Sequence, residues 1–121
     1  MTWLAILCGY LLGSTPFALL IAGPEVRTTG SGNPGATNVW RVRGSVAALA
    51  VLVLDVSKGC AAVWLATQMG TDVVTTTAVA GAAVAGHVFP IWLGFDGGKG
   101  VATAFGVFLL LSLPSALVSL A

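Results

Sequence analysis

Apolar residues in this chain gather into four long runs, 2–22, 45–68, 73–93 and 101–121, separated by three polar connectors. Each run is close to the roughly 20 residues that carry a helix across about 30 Å of hydrocarbon. The pattern predicts an all-α, polytopic membrane protein with about four transmembrane helices, forming one membrane domain over residues 1–121. Connector 23–44 is rich in Gly, Thr, Asn and Arg and too polar to insert, so it reads as a loop, while 69–72 and 94–100 read as tight turns. Pro16, Pro90 and Pro114 lie inside or near the ends of spans and predict kinks or helix ends whose freed carbonyls need partners. Gly9 with Gly13, and Ala82 with Gly86, have the small-xxx-small spacing that lets helix backbones approach closely.

Composition agrees with a bilayer as the solvent. Hydrophobic residues make up 57% of the chain and charged residues only 7%, and the mean hydropathy is +1.00. Water-facing surfaces need about a quarter of their residues charged, and disorder needs low hydrophobicity. The net charge of +1 is also too small for a nucleic-acid binder. Arg27, Arg41, Arg43 and Lys99 all lie in connectors 23–44 and 94–100, whereas 69–72 has no base. The positive-inside bias therefore places both polar connectors on the cytoplasmic face and Met1 outside. A cleaved signal peptide would want a base before the first run, and the bases here follow it. Cys8 and Cys60 sit in apolar runs as small hydrophobes, and His87 is the only histidine, so neither a disulfide nor a zinc site is expected.

Two segments invite chemistry. Thr29 to Gly44 reads TGSGNPGATNVWRVRG, and its Gly30, Gly32 and Gly35 satisfy GxGxxG, but a dinucleotide fingerprint must follow a buried strand. What survives is the capacity of a glycine-rich turn to present backbone N–H groups to an anion. Ser31, Asn33, Thr37 and Asn38 would add donors, and Arg41 a bidentate fork for phosphate. The second segment, GFDGGKG, lacks the spacing of a nucleotide P-loop. It places Gly97, Gly98 and Gly100 beside Lys99 at the start of a membrane helix, whose free N–H groups favour an anion. Each segment also has a plain reading, a solvated loop and a tight turn with a snorkelling lysine. Sharing one face, they could form one phosphate site. Asp55 and Lys58 are one turn apart deep in the second span and read first as a neutralising pair, with His87 near the GFDGGKG turn as a supporting residue.

Four ordered blocks, GSTPFALLIA, GSGNPGATNVWR, LDVSKG and GHVFPIWLGFDGGKGVAT, resemble the acyl-phosphate:glycerol-3-phosphate acyltransferases, the PlsY family of bacterial inner membranes. The resemblance implies a multi-pass protein of the bacterial plasma membrane whose site faces the cytoplasm. It implies transfer of a fatty acyl group from acyl phosphate to the sn-1 hydroxyl of glycerol 3-phosphate, giving lysophosphatidic acid without a cofactor. Glycerol 3-phosphate, acyl phosphate and membrane lipid are then the partners, and nucleic acid is not. Ser31 and Arg41 take the essential roles, with Asn33, Thr37 and Asn38 as neighbours, and Gly97, Gly98, Lys99 and Gly100 hold the glycerol phosphate. The HxxxxD acyltransferase type is excluded, because Trp92 stands in the Asp position after His87. Two departures accompany the likeness. Asp96 stands where the family usually has a basic or amide residue and should weaken the anion field beside Lys99. The family also has about seven spans and a third motif with no counterpart here, so the chain is expected to be an N-terminal portion, or else an inactive truncated paralogue. A small four-span transporter subunit is the alternative of another class.

Overall fold

The computed structural model describes residues 1–112, and every regular element among them is helical. In order these are α1 (Thr2–Ser14), α2 (Phe17–Ala22), a 3₁₀ turn at Pro24–Arg27, α3 (Ala36–Arg43), α4 (Ser45–Gln68), α5 (Val73–Val88), a 3₁₀ turn at Ile91–Leu93 and α6 (Val101–Leu111). Three segments are long and apolar enough to cross a membrane: Thr2–Ala22, Ser45–Gln68 and Val73–Leu93. Of the expected fourth span the structure describes α6, a shorter apolar helix; the rest of that run, with Pro114, lies outside the described residues.

The 45–68 run is one uninterrupted helix, α4, but the first and third runs are not. Thr15 and Pro16 break the first into α1 and α2, because a proline ring has no N–H to donate and clashes with the preceding turn. Phe89 and Pro90 end α5 five residues before the predicted limit at 93, and a 3₁₀ turn follows. The 23–44 connector is also more ordered than a loop. Its second half folds as α3, which packs on α4 through Val39 and Val51, in a small core shared with Ala18, Ala22 and Val26.

Helices pair through small residues, as membrane helices must where burial from lipid supplies little drive. A Cβ added at Gly13 would run into the Ala83 backbone, and one at Gly86 into the α1 backbone around Tyr10 and Ser14, so α1 and α5 touch main chain to main chain. The expected Gly9 and Gly13 stripe is used, while its partner on α5 includes Ala83, which is fully buried, rather than the half-buried Ala82. Gly59 against Thr103 and Gly106 against Val56 join α4 to α6 in the same way. Since the connector 69–72 links the far ends of α4 and α5, the C-terminal ends of α1 and α5, the N-terminal ends of α4 and α6, and both glycine-rich connectors gather at one end of the bundle.

Candidate active site

At that end a cavity of about 560 Å³ opens between the two glycine-rich connectors. Ser31, Asn33, Thr37, Asn38 and Arg41 of the first connector line it, with Lys99 and Gly100 of the second. Asp55 and His87 form its floor, and Leu52, Val56, Val101 and Phe105 supply an apolar wall. Residues far apart in sequence thus share one chamber. Gly97, Gly98 and Lys58 do not line it; they border an adjoining space of about 10 Å³ that shares Asp55 and His87 with the larger one.

The positive potential of the chamber follows from a census of charge. Glu25 pairs with Arg43 at 3.2 Å, Asp55 with Lys58 at 3.2 Å and Asp96 with Arg27 at 3.1 Å. Asp72 is the remaining acid, at the far end of α5. Among the described residues the two bases with no acidic partner are therefore Arg41 and Lys99, the two that line the cavity. Two helix starts reinforce them: the cavity is bounded by the first turn of α3 (Ala36, Thr37, Asn38) and of α6 (Val101, Ala102), and neither start is capped by a side chain. Uncapped first-turn N–H groups and the positive end of the helix dipole both favour an anion.

Several expected donors are already committed. Asn38 is buried, and its Nδ2 donates to the carbonyls of Val26 at 2.8 Å and Thr29 at 3.0 Å, while its Oδ1 accepts from the Ser31 amide at 3.0 Å. Its side chain is a plug that shapes the first loop, leaving Ser31, Asn33 and Thr37 on the cavity rim. Gly30 serves that plug twice: it has φ +62, where only glycine sits comfortably, and a Cβ there would strike Asn38 Oδ1. In the second connector the Gly97 amide donates to the Val88 carbonyl at 2.9 Å and the Gly98 amide to the His87 carbonyl at 3.2 Å. Those amides tie the turn to the end of α5, so the free amides near Lys99 belong to the start of α6.

The Asp55 and Lys58 pair is more elaborate than intrahelical neutralisation. Lys58 also donates from Nζ to the Thr15 carbonyl at 3.0 Å, so the helix break at Pro16 and the buried cation satisfy each other. His87 Nδ1 lies 3.9 Å from Asp55 Oδ1, and the Thr103 hydroxyl donates to the Asp55 carbonyl at 3.1 Å. Arg27 and Thr103 are the residues that sequence reasoning missed. Arg27 looked like a base placed by the membrane bias, and its one signal was an acid, Asp96, standing where the resemblance expects a base.

A family profile described as glycerol-3-phosphate acyltransferase matches residues 3–121. The chain belongs to the glycerol-3-phosphate acyltransferase family. The family's enzyme of that name from Myxococcus xanthus (strain DK1622) is 49% identical over 124 residues, covering 98% of this chain and 65% of the relative. That of Escherichia fergusonii is 53% identical over 105 residues, covering 84% of this chain and 51% of the relative. The crystal structure of PlsY (YgiH), an integral membrane glycerol 3-phosphate acyltransferase, in its glycerol 3-phosphate form superposes with a TM-score of 0.88 at 41% identity, over 98% of this chain and 62% of that one. Its lysophosphatidic acid form gives a TM-score of 0.84 at 40% identity. The chain thus spans between about half and two thirds of the length of these acyltransferases.

Proposed function

We propose that the chain carries the phosphate-binding part of an acyltransferase that moves a fatty acyl group from acyl phosphate to the sn-1 hydroxyl of glycerol 3-phosphate. The observation that carries this reading is the pairing of Arg41 and Lys99, free of acidic partners, across a cavity that two helix starts also face. Both substrates are phosphate esters or anhydrides, and a chamber with two cations and two helix N-termini suits them. The glycerol phosphate form of the PlsY structure, similar over 98% of this chain, adds support from a relative.

The chemistry asks for positioning and charge stabilisation more than for a strong base, because acyl phosphate is already activated. The hydroxyl oxygen of glycerol 3-phosphate attacks the acyl carbon, the bond from that carbon to the phosphate oxygen breaks, and orthophosphate leaves with the hydroxyl proton. Arg41 and Lys99 hold the phosphate groups, and Ser31 donates a hydrogen bond rather than acting as nucleophile. Asn33 and Thr37 complete the rim, while Asn38, Gly97 and Gly98 position the loops that carry them. His87, Asp55 and Lys58 support the floor. The apolar wall at Leu52, Val56 and Phe105 leaves the acyl chain on the lipid side. The cavity would face the cytoplasm of a bacterial inner membrane, with Met1 outside, as the distribution of bases favours. Against a transport role stands the mutual pairing of Asp55 and Lys58, the ionisable residues deepest in a span.

The test is formation of lysophosphatidic acid from glycerol 3-phosphate and acyl phosphate in vesicles, alongside binding of radiolabelled glycerol 3-phosphate by the purified chain. Arg41→Ala and Lys99→Ala should each lose about 100-fold or more in turnover or affinity with unchanged thermal unfolding. Equal acylation and binding by wild type and Arg41→Ala would overturn the assignment.

A further inference from the structure

We propose that Arg27 and Asp96, neither of which lines the cavity, form a clasp that sets how far the two glycine-rich connectors stand apart, and so the separation of Arg41 and Lys99. The proposal rests on the glycerol phosphate reading above and assigns this pair a positioning role in it. The Arg27 guanidinium reaches 69 positions along the sequence and donates twice to one residue, from Nη1 to the Asp96 main-chain carbonyl and from Nη2 to its carboxylate at 3.1 Å. Among the described residues these are the only hydrogen bonds or ion pairs joining connector 23–44 to connector 94–100. The other polar ties of each connector run elsewhere: the first is held by Asn38 and by Arg43, which donates to the Ala22 carbonyl, and the second by α5 carbonyls. One side chain therefore supplies the direct polar link between the two halves of the site among the described residues.

The two ends of the clasp differ. The Arg27 side chain is 25% exposed and its main-chain carbonyl abuts Gly32, next to Ser31, so the arginine is rooted beneath the loop it serves. The Asp96 side chain is 83% exposed, two residues before Gly98 and three before Lys99. The carbonyl contact needs no particular side chain at position 96. The carboxylate contact does, and it also spends the charge of Arg27, which leaves Arg41 and Lys99 as the uncompensated cations. Asp96 therefore does not weaken the field of Lys99 as a free carboxylate would, because its charge is answered by Arg27.

The experiment measures amide hydrogen exchange over 94–100 and glycerol 3-phosphate binding in the same detergent-solubilised chain. Arg27→Ala removes both contacts and should speed exchange in the turn and weaken binding, each by about tenfold. Asp96→Asn keeps the carbonyl contact and should change each by no more than about fivefold, the range of an exposed ion pair. Arg27→Lys, which keeps the charge but not the fork, should fall between wild type and Arg27→Ala. The swap Arg27→Glu with Asp96→Arg should recover binding relative to Arg27→Glu alone. Unchanged exchange in Arg27→Ala and Arg27→Lys, with no recovery in the swap, overturns the clasp while leaving the site reading intact. A wild-type chain that binds no glycerol 3-phosphate, although its turn still responds to Arg27→Ala, overturns the site reading and with it the clasp's part in placing substrate.

Discussion

The two glycine-rich connectors look alike in sequence, yet they are built by opposite means. The first is shaped from inside by a side chain, with Asn38 gathering two carbonyls and one amide around its buried carboxamide. The second is shaped from outside by main chain, with Gly97 and Gly98 donating to the last carbonyls of α5. In both, glycine makes room for another group and the N–H groups left over for an anion come from the first turns of α3 and α6. Density of glycine is thus a poor guide to free amides: what counts is which donors remain after the loop has satisfied itself.

Breaking the inner plug should have the largest effect. Asn38→Asp turns two hydrogen bonds into carboxylate against carbonyl, in a site 1% exposed, and should cost about 3 kcal/mol or more by thermal unfolding, with loss of glycerol 3-phosphate binding. Gly98→Ala attacks the outer anchor by pushing a methyl into the His87 ring, and should cost about 1–3 kcal/mol. Its control is Gly94→Ala in the same turn, where nothing lies within 4 Å and only the φ of +63 opposes a side chain, at about 1–2 kcal/mol. A cost for Gly94→Ala above that of Gly98→Ala would show that the turn is limited by backbone conformation and not by its seat on α5. Glu25→Gln removes the exposed pair with Arg43 while leaving the hydrogen bond from Arg43 to the Ala22 carbonyl, and should shift stability by no more than about 1 kcal/mol, with binding unchanged.

The smallest effect belongs to the third connector, which has no site to shape. Asp72 caps α5, and the Thr75 side chain, together with the Thr75 amide that donates to the carboxylate at 2.8 Å, holds its pKa below the usual carboxylate value. A depressed folded pKa means that the cap stabilises above the unfolded pKa and is lost as pH falls through the folded one. The melting temperature of Asp72→Ala should therefore lie below wild type at neutral pH, and the gap should close on acidification. A gap that widens instead would remove the capping account.

Much of this architecture was legible from apolar runs alone. The bounds of α4 coincide with the 45–68 run, and the bases marked the end of the bundle where the site lies, because hydropathy and charge are summed properties that no local contact can undo. The convergence of Arg41 and Lys99 was inferable from topology, since both connectors share one end. What stayed hidden was the allocation of hydrogen bonds. Asn38 reads as a surface donor until α3 turns it inward, and Gly97 and Gly98 read as an anion nest until the early end of α5 at Val88 offers them carbonyls. Arg27 was hidden for a related reason, because membrane topology already accounted for a base at that position.

The carbonyl of Thr15, at the break between α1 and α2, has a bearing on how the protein is made. Lys58 must enter the bilayer within α4, where an uncovered lysine costs about 2.5–3.5 kcal/mol on insertion scales. Its two acceptors are an aspartate one turn earlier on the same helix and a carbonyl on the span synthesised before it. During biogenesis the receptor for the lysine is therefore already in place when the second span leaves the ribosome, so the first two spans are suited to partition into lipid as a pair rather than one at a time.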